Sequence, residues 1–405
     1  MKKLTVQLQF SADDPIVVGQ LAEHDRRIYF EYDASFLVRA LSLSPFKLPL
    51  RQGLIEHADR AFGQLPGLFD DSLPDGWGLL LMDRMFRRRG IDPATVSPLD
   101  RLSYLGRRTM GALTYHPAAD VERDDRVFDL AELGRNAQEV FSGNAAEILP
   151  ALIRAGGSAA GARPKVLVGV KGNTLISGEE DLPDGFEHWI VKFSAKAESR
   201  DAGPVEFAYS NMARAAGIDI PPTRLFRVGK TMAYFGVKRF DRAANNRRLH
   251  MHTFANLIHA NFRTPSTDYV DLLKVTSAPT RNHADVLGAF RQMVFSIAAC
   301  NRDDHAKNFA FIMDPAGTWK LSSAYDLVYS AGPGGEHTMR VAGEGRNPTR
   351  ADIVKIADEF AISGKDRAGI FEEVNGAVEK WPRWADAAGV TKKTSRLVAA
   401  RLRAI

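Results

Sequence analysis

The residues at 301–308, Asn-Arg-Asp-Asp-His-Ala-Lys-Asn, have the types and spacing that could perform chemistry. They follow a strongly apolar segment at 286–300 and precede a second apolar run at 309–313. Another carboxylate, Asp326, lies 23 residues after Asp303. Packing explains poorly why so many polar residues lie between two apolar runs, whereas a catalytic loop explains it directly.

The spacing within this loop matches the demands of phosphoryl transfer. That reaction needs a carboxylate near the attacking hydroxyl, an amide and a second carboxylate for Mg²⁺, and a lysine for the nucleotide phosphates. Protein kinases use H-R-D-x-x-x-x-N for the first part, and Asn308 likewise lies five residues after Asp303. Asn301 stands where the histidine would be, and Leu-Val at 327–328 follows Asp326 in place of Phe-Gly. The alternative is a polar turn in which Asp and Asn cap the local backbone.

The composition is that of a globular chain without disulfides. Its 405 residues suffice for two or three domains or lobes, and 45% hydrophobic and 25% charged residues are ordinary proportions. One cysteine, Cys300, excludes an intramolecular disulfide and a cysteine-based zinc site. The first residues alternate like a strand, and no run of about 18 apolar residues occurs, so we expect no signal peptide and no membrane span. We expect a cytoplasmic location, and the net charge of +5 mildly favours anionic partners.

Strand-like segments dominate the first half of the chain. Alternation and β-branched or aromatic residues predict strands at 4–10, 27–32, 166–170 and 188–193, and a hairpin of 223–228 with 231–240. Helical spacing predicts helices at 75–86 and 205–216, and 117–130 is expected to be a loop. The arginine run at 87–89 suits the dipole at a helix end, with phosphate binding as the alternative.

Helices dominate the second half. They are predicted at 285–300, 350–360, 365–381 and 392–402, with short strands at 309–313 and 319–321. The last helix is basic, so it presents either a solvated face or a surface for a partner or DNA. This layout predicts an α+β, two-lobed fold with a cleft between a strand-rich N-terminal part and a helical C-terminal lobe. We divide the chain into 1–116, 117–245 and 246–405, with the catalytic loop in the last part.

A small-residue loop at 155–165 precedes the third predicted strand. Gly156 and Gly161 have the spacing of a Walker A loop, but Ala162 stands where lysine is required. By composition alone, this segment could also be a flexible linker. Lys192, on the next apolar strand, is the candidate lysine for nucleotide phosphates, with a surface lysine as the alternative. Glu206, on the following helix, either pairs with Lys192 or is solvated.

Taken together, these residues resemble the HipA-like serine/threonine kinase toxins of bacterial type II toxin–antitoxin systems. The likeness covers nearly the whole chain. It is carried by Asp-x-His-Ala-Lys-Asn-Phe at 303–309, Tyr-Asp-Leu at 325–327, Ile-Val-Lys at 190–192, Ser-Ala-Ala-Gly-Ala-Arg-Pro-Lys at 158–165, Lys-Arg-Phe-Asp-Arg at 238–242, Leu-Ser-Leu-Ser at 41–44 and Leu-Pro-Asp-Gly-Trp at 73–77. It implies a protein-kinase-like, HipA-type fold, with an N-terminal subdomain (1–116), a kinase N-lobe with phosphate-binding loop and hinge (117–245), and a helical kinase C-lobe (246–405).

The resemblance also implies roles for individual residues. Asp303 would be the catalytic base or hydroxyl-orienting group, and Asn308 and Asp326 would bind Mg²⁺. The residues that would contact ATP are Lys192, Ser158, Gly161, Ala162, Lys238, Phe240, His305, Asn308 and Asp326. Ser158 stands where the family autophosphorylates a serine, and the added charge ejects the loop and silences the kinase. His305 and Lys307 would contact phosphate or the loop, and packing and solvation are equal alternatives.

The implied function is that of a toxin that phosphorylates a cellular protein with ATP and arrests growth. The family's targets include aminoacyl-tRNA synthetases, and its partner is a HipB-like helix-turn-helix antitoxin, through which operator DNA would mostly be contacted. Two other classes of function stay open: a kinase of the same fold acting on a small molecule or lipid, and a non-catalytic partner of a DNA-binding repressor. The presence of Lys192, Asp303, Asn308 and Asp326 argues against the non-catalytic class.

Overall fold

The computed structural model describes residues 1–119, 127–145, 148–156, 161–195, 200–229, 232–264 and 266–405, and within these ranges the strands form three antiparallel sheets. The first contains β1 (Lys2–Leu8), β2 (Ile16–His24), β3 (Arg27–Tyr32), β4 (Ile55–Glu56) and β5 (Leu113–His116), in the order β4-β3-β2-β1-β5. The second contains β6 (Lys165–Lys171), β7 (Thr174–Ser177), β8 (Glu187–Lys192), β9 (Thr223–Val228) and β10 (Met232–Lys238), in the order β7-β6-β8-β10-β9. The third contains β11 (His250–Thr253), β12 (Ala310–Met313) and β13 (Trp319–Leu321), in that order.

Helices pack around and between these sheets. Those of the first half are α1 (Ala34–Arg39), α2 (Gly67–Asp70), α3 (Gly76–Arg88), α4 (Pro98–Leu105), α5 (Leu130–Phe141), α6 (Pro150–Gly156) and α7 (Ala202–Ala215). Those of the second half are α8 (Phe254–Ile258), α9 (Tyr269–Thr280), α10 (His283–Ala298), α11 (Arg350–Glu359), α12 (Gly364–Glu379), α13 (Trp381–Ala388) and α14 (Lys392–Ala399). Over the described residues, no helix combines the length and the apolar character that crossing a bilayer requires.

Most predicted strands and helices are confirmed to within a few residues, including α10. Helix α10 leads into residues 301–308, which are called the catalytic loop below after their predicted role. Two predictions were incomplete. Helix α6 extends to Gly156 and so takes up the start of the predicted small-residue loop, and β11 lies where only helices were expected. The helix predicted at 365–381 is confirmed as α12, which ends at Glu379. A separate helix, α13, follows it, because Pro382 in the first turn of α13 lacks the amide hydrogen that a continuous helix needs.

The first sheet and the helical second half share one apolar core. In β1, Leu4, Val6 and Leu8 are buried while the residues between them are partly exposed, which is the period of a strand with one buried face. Phe290 and Val294 of α10 belong to the same cluster of buried side chains. The first sheet is therefore packed directly on the half that carries the catalytic loop. The division of the chain at residues 116 and 245 stays a prediction.

Helix α3 packs on the second sheet, although it lies within the first 116 residues. Trp77 and Leu81 belong to the core cluster of this sheet and are 1% and 0% exposed. A second face of the helix, at Met82, Met85 and Phe86, forms a smaller cluster with α4 and α6. Burial of both faces holds the beginning of α3 in a fixed place beside β6.

A buried chain of polar groups joins Ser44, His252 and Asp71. His252 Nδ1 lies 2.5 Å from Asp71 Oδ2, and His252 Nε2 lies 3.1 Å from Ser44 Oγ. Asp71 also accepts hydrogen bonds from the amide and hydroxyl of Thr253. The order resembles a Ser-His-Asp triad, but Ser44 is 1% exposed and His252 is 0% exposed, so no substrate reaches the Ser44 hydroxyl. The contacts instead fasten the first 116 residues to β11.

A second buried polar cluster fastens the segment after β10 to residues 109–111. Asp241 accepts hydrogen bonds from Arg239, Arg242 and the amide of Gly111, at 2.7, 2.6 and 2.7 Å. Both arginines also donate to the carbonyl oxygen of Thr109. Burial alone would raise the pKa of Asp241, but the two arginines hold that pKa well below its usual range. The carboxylate is therefore charged and fully paired, as a buried ion must be.

His250 makes a pH-dependent contribution to folding stability. It is 0% exposed, its Nε2 lies 3.0 Å from the carbonyl oxygen of Leu43, and its Nδ1 has no hydrogen-bond partner in the described residues. Burial lowers the pKa of His250 from 6.5 to about 4. The unfolded chain therefore binds this proton at a higher pH than the folded chain does. The contribution of neutral His250 to the free energy of unfolding is fully present above pH 6.5. It is lost as the pH falls towards 4, and the whole loss is about 3 kcal/mol.

We predict that His250→Gln weakens the acid dependence of stability. Glutamine retains a donor for Leu43 but does not titrate. Between about pH 7.5 and about pH 5, the free energy of unfolding of the His250→Gln variant should fall by about 2 kcal/mol less than that of the unaltered chain. Urea denaturation at the two pH values measures this difference. His24→Gln, at the exposed end of β2, is the matched control and should keep the original pH dependence. Identical pH dependence in the two variants would contradict the assignment to His250.

Candidate active site

A cavity of about 460 Å³ lies between the second sheet and the catalytic loop. The predicted site residues that line it are Gly161, Ala162, Lys192, Lys238, Phe240, Asp303, His305, Asn308 and Asp326. The remaining one, Ser158, lies outside the described residues. The fold thus brings five separate segments of the sequence to one cavity wall.

Lys192, the last residue of β8, has its ammonium group between two carboxylates. Its Nζ lies 2.5 Å from Glu206 Oε1 and 2.6 Å from Asp326 Oδ1. Glu206 is 3% exposed, so of its two alternatives the structure shows the paired one and not the solvated one. Burial alone would lower the pKa of Lys192, but the two carboxylates outweigh burial and raise that pKa above its usual value. Lys192 is therefore a fixed positive charge in the cavity wall.

Asp326 has a backbone conformation that residues other than glycine rarely adopt. Its φ is 58°, in the left-handed region, which costs about 1–2 kcal/mol. The preceding residue is held in place, because the hydroxyl of Tyr325 donates to the carbonyl oxygen of Lys307 at 2.6 Å. Burial alone would raise the pKa of Asp326, but Lys192 and then Lys165 hold that pKa well below its usual range. A charged carboxylate held in a strained backbone is typical of a functional position.

Asp303 and Asn308 are connected by the 3-10 turn at Ala306–Asn308. The side-chain amide nitrogen of Asn308 donates to the carbonyl oxygen of Asp303 at 2.7 Å, which fixes the orientation of the amide group. The Asp303 side chain is exposed in the cavity. Partial burial raises the pKa of Asp303, His305 opposes this, and the charge of Asp326 adds to it. A raised pKa suits a carboxylate that must accept a proton near neutral pH.

The oxygen donors fit Mg²⁺ that is shared with phosphate groups. Asp326 supplies a carboxylate and Asn308 an amide oxygen, the hard ligands this ion prefers. Among the described residues, no group of three or more His, Cys, Asp or Glu side chains could hold a metal by itself. Nucleotide-bound Mg²⁺ does not need such a group, because one or two carboxylates, water and the phosphates usually complete its coordination.

Two cations beside Lys192, namely Lys165 and Arg163, belong to the 158–165 motif but were not named as site residues from the sequence. Lys165, the first residue of β6, pairs in register with Lys192 across the sheet and is 5% exposed. Burial lowers the pKa of Lys165 to about 8, and the charge of Lys192 contributes to this. Arg163 Nη1 lies 3.4 Å from Glu206 Oε2. The available signal was a lysine at the head of an otherwise apolar strand, but the strand register that places it here is not visible in spacing. The three cations all line the cavity, and side chains of this kind suit a polyphosphate.

Part of the cavity lining is apolar and aromatic. The rings of Phe240 and Tyr325 stack with their centroids 5.5 Å apart, and Ile190 also lines the cavity. Flat, apolar surfaces of this kind suit a planar base. Lys238 is another lining residue, and its Nζ is 2.5 Å from Glu187 Oε1.

Lys307 and His305 lie on the side of the cavity that faces the first 116 residues. Lys307 Nζ is 3.7 Å from Asp70 Oδ2, 3.6 Å from Asp75 Oδ2 and 4.7 Å from the ring centroid of Phe262. The ring of His305 lies 5.4 Å from that of Phe262. For Lys307, these contacts favour the packing alternative. A phosphate contact by His305 stays a prediction.

Asp304 was not singled out in the sequence, yet its carboxylate is the most fully bonded group of the catalytic loop. It is 1% exposed, whereas its neighbour Asp303 is exposed. Sequence alone does not show which of two adjacent aspartates faces the cavity. The donors to the Asp304 carboxylate are the Tyr269 hydroxyl (2.8 Å), His337 Nδ1 (2.8 Å), the Thr338 amide (2.8 Å) and the Met339 amide (3.4 Å). Asp304 therefore holds the segment after Asp326 against the catalytic loop.

Comparison with known proteins gives matches over most of the chain. A family model of the HipA-like C-terminal domain matches residues 157–381, and a model of the HipA N-terminal domain matches residues 13–116. Two curated relatives from Sinorhizobium fredii (strain NBRC 101917 / NGR234) are named "Putative kinase Y4dM" and "Putative kinase Y4mE". The first is 29% identical over 283 residues, 65% of this chain, and the second 28% identical over 190 residues, 42% of this chain. The matched regions span only 62% and 42% of the relatives' own lengths.

A solved structure has the same fold. It is a chain from the Shewanella oneidensis MR-1 complex of the toxin–antitoxin system proteins HipA and HipB with operator DNA. The superposition has a TM-score of 0.70 and covers 98% of this chain and 94% of that chain, at 16% sequence identity. The α+β, HipA-type fold expected from the sequence is confirmed, and so is the resemblance that its motifs indicated.

We predict that the adjacent aspartates of the loop differ in their effect on stability. Asp304→Ala removes the acceptor from four donors in a buried place, so the free energy of unfolding should fall by about 2–4 kcal/mol. Asp303→Ala is the matched control, and because its side chain is exposed the change should stay within about 0.5 kcal/mol. Urea denaturation without nucleotide measures both. Equal losses in the two variants would contradict this division of roles.

Proposed function

The chain belongs to the HipA family, and from its cavity we propose that it is an ATP-dependent serine/threonine kinase acting as the toxin of a toxin–antitoxin system. One observation supports kinase activity most directly. Lys192 contacts Asp326 at 2.6 Å, and Asp303 and Asn308 line the same cavity. These are the lysine, the two carboxylates and the amide that phosphoryl transfer requires.

In the proposed reaction each residue has a limited task. Asp303 accepts the proton of the acceptor hydroxyl while that oxygen bonds to the terminal phosphorus of ATP and the bond to the ADP oxygen breaks. Lys192 steadies the phosphates, and Lys165 adds positive charge beside it. Asn308 and Asp326 would hold Mg²⁺, which would supply positive charge against the phosphates.

The proposed acceptor is a serine or threonine of a cellular protein. The family resemblance points to an aminoacyl-tRNA synthetase, whose phosphorylation would starve translation and arrest growth. Two alternatives differ in outcome: a kinase that acts on a small molecule or lipid, and a non-catalytic partner of a repressor. The first would transfer phosphate without modifying protein, and the second would not transfer phosphate at all.

The proposed partners are a HipB-like helix-turn-helix antitoxin and, mostly through it, operator DNA. The support is the Shewanella oneidensis complex, in which HipA occurs with HipB and operator DNA. A cytoplasmic location is part of the proposal, because ATP, the acceptor protein and the operator would all be met there.

We predict that Asp326→Asn lowers phosphate transfer to protein at least about 10²-fold and abolishes growth arrest on expression, because the charged ligand for Mg²⁺ is lost. Labelled ATP added to a cell lysate, together with growth curves after induction, measures the two effects. Asp314→Asn is the matched control, since Asp314 lies in the turn after β12 and lines no part of the cavity. Growth arrest that persists in Asp326→Asn would contradict catalysis as its cause.

We predict that a fraction of the expressed chain carries one phosphoryl group on Ser158. Gly161 and Ala162, just after this serine, line the cavity that contains Asp303. Intact mass should show the added group in the unaltered chain and not in Asp303→Ala or Ser158→Ala. A phosphoryl group that is as abundant in Asp303→Ala as in the unaltered chain would contradict autophosphorylation.

A further inference from the structure

The beginning of α3 contacts the loop that leads into β6. The carboxylate of Asp75, Oδ1, accepts a hydrogen bond from the amide of Gly161. The amide of Trp77 donates to the carbonyl oxygen of Gly161 at 3.0 Å, and its indole nitrogen donates to the carbonyl oxygen of Lys165 at 2.9 Å. The amide and the carbonyl group of Gly161 are therefore both hydrogen-bonded to residues of the first 116, Asp75 and Trp77.

The two backbones approach so closely that a side chain would not fit between them. Gly76 has a φ of +44°, and a Cβ atom there would lie 2.8 Å from Ala162 Cα and 2.9 Å from the carbonyl oxygen of Gly161. Real Cβ atoms do not make such contacts. The contact between this turn and the loop is therefore specified by backbone geometry and by the absence of a side chain.

The same carboxylate also reaches the catalytic loop. Asp75 Oδ2 lies 3.6 Å from Lys307 Nζ, and the Asp75 side chain is 15% exposed. The carbonyl oxygen of Lys307 accepts a hydrogen bond from the hydroxyl of Tyr325, the residue before Asp326. One side chain thus contacts both of the loops that enclose the cavity.

Asp75 is well placed to hold these loops because the helix that follows it is rigidly packed. Trp77 and Leu81 are 1% and 0% exposed in the core of the second sheet, the sheet that carries Lys192. A side chain at the start of such a helix keeps its distance from the sheet, since the helix cannot shift without opening that core.

We propose that Asp75 is a positioning residue for nucleotide binding. Its carboxylate binds both the Gly161 amide and the Lys307 ammonium group, and so fixes the loop before β6 relative to the catalytic loop. The first 116 residues then contribute to nucleotide binding through Asp75, in addition to packing against the rest of the chain. This inference rests on the proposed function, and Asp75 itself touches no reacting atom.

The first test needs no nucleotide. Hydrogen exchange of peptides that cover 161–165 should be about tenfold faster or more in Asp75→Asn, because a charge-assisted hydrogen bond to the Gly161 amide is lost. Gly76→Ala keeps the carboxylate but separates the two backbones, and should have the same effect. Asp70→Asn is the matched control: Asp70 Oδ2 also lies near Lys307 Nζ, at 3.7 Å, but is bonded to Asn256 and not to the loop. Its exchange should equal that of the unaltered chain.

The second test measures the affinity for a non-hydrolysable ATP analogue with Mg²⁺ by calorimetric titration. Asp75→Asn should bind about tenfold more weakly, and Asp70→Asn within about twofold of the unaltered chain. Cooperative thermal unfolding establishes that each variant is folded, and Gly76→Ala serves if Asp75→Asn is not. An unaltered chain that binds no nucleotide would contradict the proposed function, whereas the exchange result would still test the contact.

Two outcomes would overturn the inference while the unaltered chain binds nucleotide. Unchanged exchange at 161–165 in both Asp75→Asn and Gly76→Ala would show that Asp75 does not hold the loop. Equal or tighter nucleotide binding by Asp75→Asn would show that the contact does not support the site, and tighter binding would show that the carboxylate competes with phosphate for the Gly161 amide.

Discussion

The Lys192 ammonium group, held between the carboxylates of Glu206 and Asp326, is the interaction on which the rest of the structure depends. Its three members come from β8, from α7 and from the segment after β13. The charges of Lys192 and Glu206 are buried, and burying either one alone would be strongly unfavourable. The second sheet, α7 and the catalytic half must therefore keep their distances, and the cavity with the proposed phosphate site lies where they meet. In the proposed reaction, the phosphates of ATP would take over as partners of Lys192 and leave Asp326 available for Mg²⁺.

The remaining buried polar contacts prevent the parts around this cavity from moving independently. Asp241 ties the segment after β10 to residues 109–111, and Asp71 ties the first 116 residues to β11. Asp304 ties the segment after Asp326 to the catalytic loop. In each case a carboxylate with several donors fixes loops that have few apolar residues of their own. Such contacts set geometry more than they add stability, because the cost of removing the charges from water offsets much of what the hydrogen bonds contribute.

The sequence predicted well those features that follow from local pattern. The period of apolar residues located α10 and most strands, and the spacing of Asp303, Asn308 and Asp326 located residues that line one cavity. It predicted poorly the features that depend on which strands and loops become neighbours. Lys165 becomes a second cation beside Lys192 only through the register of β6 and β8.

The adjacent aspartates of the catalytic loop also show what the sequence alone does not predict. Asp303 and Asp304 are equivalent by type and spacing, and only the tertiary donors around Asp304 separate a structural carboxylate from an exposed one. Strand β11 was missed because His250, Met251 and His252 give a weak apolar pattern, while its burial comes from the helices and strands that surround it. Local pattern therefore identifies candidate chemistry here, and tertiary contacts decide which residues perform it.

A crystal structure with a non-hydrolysable ATP analogue and Mg²⁺ would show whether this cavity binds the nucleotide as proposed. We expect phosphates in contact with Lys192 and a magnesium ion about 2.0–2.1 Å from oxygen atoms of Asn308 and Asp326. We also expect the base of the nucleotide beside Phe240 and the terminal phosphate beside Asp303. A nucleotide bound away from this cavity, or a metal held without either Asn308 or Asp326, would contradict this proposal.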